Sequence, residues 1–422
     1  MLGHVSAARE ARGGVLVVGG GFAGAYVAKE LGDRGATIVS KENFMLYTPL
    51  LPEAASGTLE PRHCVVPLRE MCPHAELILG SVTALDLEAK TAAVETDEGP
   101  QTVAWNELVL ALGAVPRTLP IPGLSEHALS FKSLADGINL RNHVLHQLEA
   151  ADAALGEQER AQRLTFVFVG AGYAGVEALA ELSDLVEDAL RYYPSLRSTP
   201  RRWVLVDAAP RILPELPPPL GDYAAAELRK RGIEIHVGTT LESVSAAEAV
   251  LGDGTRIPTN MVVWTAGVAP NPALREWSLP LDEKGRVEVD ELLGVRGYEH
   301  VWALGDCALV PNTRSDRPDP PTCQHALRQA RRLARNLTGP PEPYGYRMLG
   351  QVATLGRHKG IAEVFGLNLH GFLGWWVTRS YHLYQLPLAQ RKLRVVVDWT
   401  VSLFFRRDIA ELGQLGHPEK LG

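Results

Sequence analysis

The stretch Val15-Leu16-Val17-Val18-Gly19-Gly20-Gly21-Phe22-Ala23-Gly24 passes from an apolar, β-branched run into glycines and then into a helical pattern. This order predicts a buried parallel strand, a tight turn and a helix over about residues 23–31. The spacing Gly19-x-Gly21-x-x-Gly24 allows the turn, the close approach of a pyrophosphate and close packing of the helix. The N-terminus of that helix favours phosphate. The stretch therefore predicts a dinucleotide cradle, but one copy does not specify the ligand.

A second copy of this pattern follows the apolar run Leu164–Val169, as Gly170-Ala171-Gly172-Tyr173-Ala174-Gly175. Two copies in one chain indicate two bound dinucleotides. The next strand, Trp203–Val206, ends in Asp207. An acid at this strand end accepts from a free ribose 2′-OH and repels a 2′-phosphate, so NADH is preferred over NADPH. Arg211 nearby leaves NADPH open.

The first cradle has its own candidate acid. Glu42 follows Gly24 at close to the roughly 20-residue offset at which a carboxylate reaches a ribose. Two alternatives stay open, because Glu42 also fits a solvated loop and Ser40 fits the strand end. Further on, the strand-like segments 76–79, 82–85, 92–96 and 101–105 predict antiparallel additions to the first Rossmann half.

Composition sets the broad class. A chain of 422 residues with 46% hydrophobic residues predicts two or three domains. A formal net charge of −7 argues against nucleic acid as the main partner. The leader before Gly14 lacks the apolar core of a secretory signal, and no apolar run reaches the roughly 18 residues of a spanning helix. The four cysteines include no CxxC pair, so reduced thiols and no metal site are expected.

Two later segments stand apart from the cradles. Gly305-Asp306 ends an apolar strand, and alone this acid fits a helix cap. Between Trp375 and Asp408 the chain holds six Arg or Lys and two Asp, and the aromatic residues there are Trp375, Trp376, Tyr381, Tyr384, Trp399, Phe404 and Phe405. Such a stretch is typical of a membrane interface. It also fits a dimer interface or a cover over another domain, and we favour the membrane.

Together these residues resemble the two-dinucleotide-binding flavoprotein reductases, and within them the type II NADH dehydrogenases, single-subunit NADH:quinone oxidoreductases. The resemblance covers nearly the whole chain. The elements that carry it are the two cradles, the run Tyr47–Glu53, Glu177, Trp264–Gly267, Gly305–Ala308, Gln324–Ala326 and the region of Lys359. One departure is Cys323, where the family commonly has alanine, which leaves an added thiol chemistry open.

The resemblance implies the cofactors and their residues. FAD would bind the first cradle through Gly19, Gly21, Phe22, Ala23, Gly24 and Glu42, with Asp306 on the ribityl chain and with Val82 and Ala111 as mainly backbone contacts. NADH would bind through Gly170, Gly172, Gly175, Asp207, Ala266 and Gly267.

The resemblance also implies an activity, namely transfer of a hydride from NADH to flavin and of two electrons to a membrane quinone, without proton pumping. Gln324 and Lys359 match positions near the isoalloxazine and the quinone, and Glu177 matches an acid between nicotinamide and quinone. Quinol formation needs protons, and Glu177 or a water chain that it anchors is the candidate donor. Lys359 would stabilise anionic quinol or reduced flavin, although without the resemblance a solvated lysine is preferred.

The predicted fold class is α/β, with two Rossmann-like dinucleotide-binding domains and a C-terminal membrane-associating region. The predicted boundaries are a disordered leader at 1–13, FAD-binding segments at 14–120 and 285–345, an inserted NAD(P)H-binding domain at 121–284, and a quinone-site and membrane-surface region at 346–422. A peripheral position on the cytoplasmic face of the cell membrane is expected. A homodimer is left open.

Four other functions are alternatives to NADH:quinone oxidoreduction. A disulfide reductase is nearly excluded, because no cysteine lies between Gly19 and Thr48 or between Pro73 and Asp306. Sulfide:quinone oxidoreductase shares the quinone and the tail, but its cysteines would lie elsewhere. A specialised NAD(P)H reductase of a naphthoquinone or phylloquinone also fits. The non-enzyme alternative is a membrane-docking flavin or NAD sensor.

Overall fold

A computed structural model describes residues 8–412, which form two compact units. Unit 1 comprises the described residues of Met1–Tyr47, Val65–Val115 and Val268–Met348. Unit 2 comprises those of Thr48–Cys64, Pro116–Gly267 and Leu349–Gly422. Within the described residues, no helix is both long and apolar enough to span a membrane.

The α-helices of residues 8–412 are numbered in chain order. They are α1 (Phe22–Glu30), α2 (Leu51–Ala55), α3 (Leu68–Met71), α4 (Leu124–His127), α5 (Leu134–Ala153), α6 (Glu157–Arg163), α7 (Tyr173–Ala189), α8 (Pro218–Lys230), α9 (Cys323–Thr338), α10 (Gly371–Gln385) and α11 (Ala389–Phe404). The predicted helix at 23–31 thus corresponds to α1.

The strands of residues 8–412 are numbered in the same way. The first half of the chain holds β1 (Arg9–Glu10), β2 (Val15–Val18), β3 (Thr37–Ser40), β4 (Phe44–Leu46), β5 (Val65–Pro67), β6 (Glu76–Leu79), β7 (Ser81–Asp86), β8 (Thr91–Thr96), β9 (Gly99–Ala104), β10 (Glu107–Leu110), β11 (Ala114–Pro116), β12 (Ala128–Ser130), β13 (Thr165–Val169) and β14 (Arg202–Asp207). The second half holds β15 (Ile233–Val237), β16 (Leu241–Val244), β17 (Glu248–Leu251), β18 (Arg256–Pro258), β19 (Met261–Trp264), β20 (Val268–Pro270), β21 (Val287–Glu288), β22 (Val301–Ala303), β23 (Ala308–Leu309), β24 (Gly350–Thr354), β25 (Gly360–Val364) and β26 (Leu367–His370).

Unit 1 is built on a parallel five-stranded sheet of order β22-β10-β2-β3-β6. Its central strand β2 is buried along its whole length, as expected of a parallel strand covered on both faces. The carboxyl ends of β2, β10 and β22 lie side by side in this register, which gathers the residues that follow each strand at one edge. This edge is where ligands bind in such sheets.

Two expectations about unit 1 were wrong. Segment 76–79 is not an antiparallel addition, since as β6 it pairs in parallel with β3 and forms the edge of the Rossmann sheet. Strands β7, β8 and β9 do form the predicted antiparallel meander. Arg9 and Glu10 fall in the predicted disordered leader but pair with β9 as β1. Residues 1–7 of that leader lie outside the described residues.

Unit 2 holds a second parallel sheet, of order β12-β19-β13-β14-β15. Strand β13 is buried at every residue, and α7 starts directly after the glycine turn that follows β13. The antiparallel strands β16, β17 and β18 share one hydrophobic core with β13, β14 and β19. The antiparallel sheet β24-β25-β26, together with α10 and α11, makes up the C-terminal part of the unit.

The α/β class with Rossmann-type sheets is therefore confirmed. The two Rossmann sheets fall in different units, one for each glycine turn. Two of the unit boundaries lie at Val115/Pro116 and at Gly267/Val268, and residues 349–412 group with the second cradle.

Candidate dinucleotide sites and a buried acid cluster

The first glycine turn, between β2 and α1, is shaped by close backbone contacts on one side and by open space on the other. Gly19 has φ +112, and a Cβ there would lie 2.3 Å from the carbonyl oxygen of Ala111. A Cβ on Gly24 would lie 1.9 Å from the carbonyl oxygen of Gly19. A Cβ on Gly21, by contrast, would meet nothing within 4 Å. Two glycines thus close the turn, and the third leaves its outer face open to a ligand.

The predicted residues Phe22 and Ala23 open α1, and Gly21 is its N-cap residue. Because glycine has no side chain to accept from the first-turn N–H groups, these donors face the open side of the turn. A pyrophosphate is the group that such a helix end binds best. The residues present therefore fit the ADP portion of a dinucleotide.

The same edge of unit 1 brings in residues from far along the chain. A Cβ on Gly305 would lie 3.1 Å from Cβ of Ala23 and 3.8 Å from Cβ of Ala326. Asp306 follows Gly305 and is therefore next to the N-termini of both α1 and α9. A polyol hydroxyl at this edge would find a carboxylate acceptor in Asp306.

Gln324 is the second residue of α9 and accepts a hydrogen bond from the Tyr346 hydroxyl at 3.3 Å. Cys323 precedes it and is half-buried. Burial, reinforced by the charge of Asp306, raises the pKa of Cys323 to about 11. The thiol is therefore protonated at neutral pH, which disfavours the added thiolate chemistry that its position left open.

The remaining predicted residues of the first cradle differ in exposure. Ala111 directly follows β10 and donates its N–H to Val18, and Val82 is buried in β7. Glu42 is exposed beyond β3, and its N–H donates to the Ser40 side chain at 3.3 Å. Ser40 lies against the turn, because a Cβ on Gly20 would lie 2.5 Å from its hydroxyl. Both candidates thus stay in place for the ribose.

The second glycine turn, between β13 and α7, repeats this construction. Gly170 has φ +114, and a Cβ there would lie 2.6 Å from the backbone nitrogen of Ala266. A Cβ on Gly175 would lie 1.8 Å from the carbonyl oxygen of Gly170, whereas one on Gly172 would meet nothing within 4 Å. Gly267 follows Ala266 with φ +89 and continues the loop after β19. The second turn is therefore also closed on one side and open on the other.

Thr265 is a residue of this turn that sequence reasoning did not assign. Its hydroxyl donates to the carbonyl oxygen of Gly170 at 2.9 Å or to that of Val169 at 3.0 Å. It thereby ties the loop after β19 to the glycine turn. A threonine directly after a buried strand, before Ala-Gly, was the available signal.

Asp207 ends β14 and accepts from the backbone N–H groups of Ala171 and Ala209, the latter at 2.7 Å. These two bonds fix its carboxylate at the glycine turn. Thr239 donates its N–H to the carbonyl oxygen of Asp207 at 3.2 Å. A groove beside it, which the sequence did not indicate, is lined by residues 235–240, 252 and 253. The groove lies at the carboxyl ends of β14 and β15, the edge at which ligands bind in such sheets.

Glu177 lies one turn into α7 and is buried. Its Oε1 accepts from the backbone N–H of Thr354 at 2.8 Å. Burial raises the pKa of Glu177 to about 8, against the lowering effect of that bond, and the nearby carboxyls Glu181 and Glu53 add to the rise. Near neutral pH this carboxyl therefore holds a proton that it releases within a physiological range, which is the property of a general acid.

Glu177 heads a row of carboxyls on one face of α7. Glu181, Asp184 and Asp188 follow at spacings of four, three and four residues, which keeps all four on the same side of the helix. Each of the last three forms an ion pair with a guanidinium: Glu181–Arg407 at 2.6 Å, Asp184–Arg231 at 2.6 Å and Asp188–Arg357 at 2.9 Å. Glu53 of α2 pairs with Arg379 at 3.1 Å. Among residues 8–412 no group of His, Cys, Asp or Glu is arranged to hold a metal ion.

Lys359 lies between β24 and β25 and forms an ion pair with Glu227 of α8. Glu227 also pairs with Lys230 at 2.5 Å. Two lysines thus share one carboxylate, which leaves a net positive charge at this point of unit 2. The Lys359 side chain is 43% exposed, so the solvated lysine expected without the resemblance stays open, although Glu227 holds its ammonium group in an ion pair.

The basic and aromatic C-terminal stretch divides into an interior and an exterior part. Trp375 is only 7% exposed, and the Trp399 indole donates to Glu53. Arg379 and Arg407 are buried in the ion pairs described above. The expectation of a membrane-facing stretch therefore does not extend to these four residues: buried carboxylates hold Trp399, Arg379 and Arg407, and the Arg379 guanidinium lies 4.4 Å from the centre of the Trp375 ring.

The exterior part is an apolar surface on β26, α10, α11 and the adjoining residues, here called the apolar ridge. Its exposed members are Phe365, Leu367, Phe372, Leu373, Trp376, Tyr384, Leu393, Val396, Val397, Val401, Leu403, Phe404 and Phe405. Trp376 is 57% and Phe404 78% exposed. An apolar surface of this extent marks an interaction site.

The fold and its paired glycine turns define a flavoprotein reductase with two dinucleotide-binding domains. The model of the family described as pyridine nucleotide-disulphide oxidoreductase matches residues 13–330. Despite that description, the four cysteines form no disulfide and three of them are buried.

Two curated relatives extend the match over nearly the whole chain. A probable NADH dehydrogenase of Dictyostelium discoideum is 32% identical over 388 residues, which cover 89% of this chain and 85% of the relative. A type II NADH:quinone oxidoreductase of Mycobacterium tuberculosis is 30% identical over 415 residues, covering 93% and 88%. The solved structure of NDH2 from Plasmodium falciparum in complex with NADH has a TM-score of 0.88 at 17% identity, covers 95% of this chain and 99% of that one, and shares the fold. The chain belongs to the pyridine nucleotide-disulphide oxidoreductases and, within them, to the type II NADH:quinone oxidoreductase family.

Proposed function

We propose that this chain oxidises NADH and reduces a quinone, with FAD as its resident cofactor and without proton pumping. The observation that carries this proposal is the pair of glycine turns, each closed by backbone contacts and open towards a ligand, in a chain of this family. The relatives' names support the substrates, since they are an NADH dehydrogenase and an NADH:quinone oxidoreductase.

FAD is assigned to unit 1. Gly19, Gly21 and Gly24 with the first residues of α1 would bind its pyrophosphate, and Asp306 would bind the ribityl hydroxyls. Glu42 or Ser40 would accept from the ribose, and Val82 and Ala111 would contact FAD mainly through their backbone. When bound, FAD supplies acceptance of a hydride and release of electrons singly or in pairs.

NADH is assigned to unit 2. Gly170, Gly172 and Gly175 would bind its pyrophosphate, and Ala266 and Gly267 continue the same loop. Asp207, which two backbone N–H groups hold at the turn, would accept from the ribose 2′-OH. A 2′-phosphate there would meet a carboxylate, so NADH is preferred over NADPH.

Glu177 is assigned the proton that quinol formation requires. Its raised pKa keeps the carboxyl protonated at neutral pH, and the Thr354 N–H fixes one of its oxygens. Lys359 is assigned the stabilisation of negative charge on the quinone, because Glu227 orients its ammonium while Lys230 offsets the charge of Glu227. Gln324, at the N-terminus of α9, is assigned to orient the flavin ring.

The apolar ridge is assigned to a membrane surface, from which a lipid-soluble quinone would be drawn. Apart from Arg406 and the two arginines in buried ion pairs, the basic residues of the C-terminal stretch are Arg391, Lys392 and Arg394 on α11. Their positive charge suits contact with anionic headgroups. Together with this assignment, the proposed location is peripheral, on the cytoplasmic face of the cell membrane. A second copy of the chain is the other candidate occupant of the ridge, and vesicle binding by a monomer separates the two.

The decisive experiment is NADH oxidation by the FAD-loaded protein, with ubiquinone, menaquinone, a naphthoquinone precursor and sulfide compared with and without oxygen. Quinone-dependent oxidation of NADH is expected, with no reaction of sulfide. Sulfide-driven reduction of quinone would indicate a sulfide:quinone oxidoreductase, and a strong preference for the precursor would indicate the specialised reductase. Protein that holds FAD but is not reduced by NADH would indicate a sensor and end the enzyme proposal.

A further inference from the structure

The buried acid cluster of unit 2 consists of five carboxyls, of which four pair with a guanidinium and one does not. Glu53, Glu181, Asp184 and Asp188 pair with Arg379, Arg407, Arg231 and Arg357 respectively. Glu177 forms no ion pair among residues 8–412 and accepts only from Thr354. A proton bound by such a cluster resides on the carboxyl that lacks a cation, because burial penalises the unmatched charge.

Arg407 is the most enclosed of these guanidiniums. It lies three residues beyond the end of α11 with its side chain 4% exposed. It donates to Glu181 at 2.6 Å and to the Thr58 hydroxyl at 3.0 Å, and it approaches Asp188 at 3.4 Å. Its neighbour Arg406 is 54% exposed and reaches only Asp188, at 3.8 Å.

We propose that Arg407 is a positioning residue for quinone reduction, which holds Glu181 as a fixed carboxylate one turn below Glu177 and thereby keeps the exchangeable proton on Glu177. This inference rests on the proposed function, in which Glu177 supplies that proton. It gives the segment after α11 a role in the chemistry. Through Arg407, this segment contacts the row of carboxyls on α7.

The groups that face Glu177 define what Arg407 controls. Glu181 on the same helix and Glu53 on α2 raise the pKa of Glu177, and the Thr354 N–H from the β24 sheet lowers it. Tyr173, the first residue of α7, is a protonated phenol and adds no charge, since burial raises its pKa. Arg379 from α10 acts on Glu53. Arg407 is therefore the cation that sets the net charge of the Glu177–Glu181 pair.

Three variants of the full-length FAD-loaded protein test this assignment. Glu181→Gln removes a carboxylate close to Glu177 and takes from Arg407 one of its three acidic neighbours, so the proton on Glu177 is lost at lower pH. Arg407→Gln leaves Glu181 unmatched, so the two carboxyls retain protons to higher pH. In Glu181→Gln/Arg407→Gln the two changes cancel, and the midpoint returns to that of the unmodified protein. Each single shift is expected to be about one pH unit or more.

The readout is the infrared C=O band of the protonated Glu177 carboxyl, followed across the pH range. Loss of this band in Glu177→Gln assigns it, and the pH profile of kcat is measured in parallel. Arg406→Gln is the matched control and is expected to leave the midpoint unchanged. In the double variant both positions hold neutral glutamines, so no buried charge is left without its partner. If Arg407→Gln does not fold, the midpoints of the double variant and of Glu181→Gln test the inference.

Equal midpoints in all variants would overturn the inference. So would a double variant that keeps the shift of Arg407→Gln, because this is the result for a residue that only anchors the tail. The infrared titration needs neither NADH nor quinone. A protein that lacks NADH:quinone activity but shows the shifts would therefore refute the proposed function, and an active protein without the shifts would refute the role of Arg407.

Discussion

The backbone N–H of Thr354, at the end of β24, donates to Oε1 of Glu177, one turn into α7, at 2.8 Å. This bond joins the C-terminal sheet to the helix that follows the second glycine turn. It gives a buried carboxyl a single strong donor and no cation among the described residues, so the carboxyl keeps its proton. The acid proposed for quinone reduction is thus set up by two segments far apart in the sequence.

Glu177 makes stability depend on pH in a defined direction. Its pKa rises from 4.5 to about 8 in the folded protein, so between these values the folded state holds a proton that the unfolded state has lost. The free energy of unfolding therefore falls as the pH rises through this window, by up to about 1.4 kcal/mol per pH unit. Glu177→Gln is expected to flatten this slope and to slow quinone reduction.

Urea unfolding across that pH range measures the effect. Glu242→Gln, which changes an exposed carboxyl on β16, is the control and should keep the slope of the unmodified protein. An unchanged slope in Glu177→Gln would mean that another group holds the proton.

The first glycine turn predicts opposite results for two similar substitutions. Gly24→Ala places a methyl group 1.9 Å from a carbonyl oxygen, so it should destabilise unit 1 by about 1–3 kcal/mol. Gly21→Ala meets no protein atom within 4 Å and should leave the stability of the FAD-free protein unchanged while FAD retention falls. Thermal unfolding and flavin absorbance after gel filtration measure the two effects. Full FAD retention by Gly21→Ala would place the pyrophosphate elsewhere.

Asp207 predicts the choice of nucleotide. Asp207→Ala removes the carboxylate that would repel a 2′-phosphate, so kcat/KM for NADPH relative to NADH should rise by about tenfold or more, equivalent to about 1.4 kcal/mol. Asp207 also accepts from Ala171 and Ala209, so Asp207→Asn tests the charge while keeping an acceptor. Asp253→Ala, at the rim of the same groove, is the control. A ratio that rises equally in Asp253→Ala would show a general charge effect.

Lys359 and Lys230 form a matched pair on one carboxylate, Glu227. Lys359→Gln is expected to raise KM for quinone several-fold, because it removes the proposed electrostatic partner. Lys230→Gln removes the other lysine and should leave that KM close to its original value. Steady-state kinetics with varied quinone distinguish the two variants, and equal effects would assign Lys359 a structural role alone.

The apolar ridge predicts vesicle binding through its exposed side chains. The double variant Trp376→Ser/Phe404→Ser should reduce sedimentation with anionic liposomes, while Tyr192→Ser, an exposed aromatic outside the ridge, should not. Truncation before Trp375 is unsuitable, because it also deletes Arg379 and Arg407 and leaves two buried carboxylates unpaired. Binding that survives in the double variant would show that the ridge does not hold the protein on the vesicle.

Short-range patterns predicted much of the fold and part of the site. The cradles, α1 and the strands β2, β13 and β14 follow from glycine spacing, helical pattern and continuous apolar runs, which act within a few residues. The position of β6 did not follow, because the partner and direction of an edge strand depend on the whole sheet. The ribose acceptor of unit 1 stays open between Glu42 and Ser40, because Ser40 ends β3 and Glu42 follows two residues later.

The sequence by itself determined that the protein has two dinucleotide turns, an acid on the second helix and an aromatic, basic C-terminal stretch, since each is a local pattern. Only the tertiary structure decided which members of that stretch face inward. Arg379 and Arg407 look like surface cations in the sequence, yet Glu53 and Glu181 hold them in the interior. The physical reason is that burial of a charge depends on a counter-charge, and here each partner comes from a distant part of the chain.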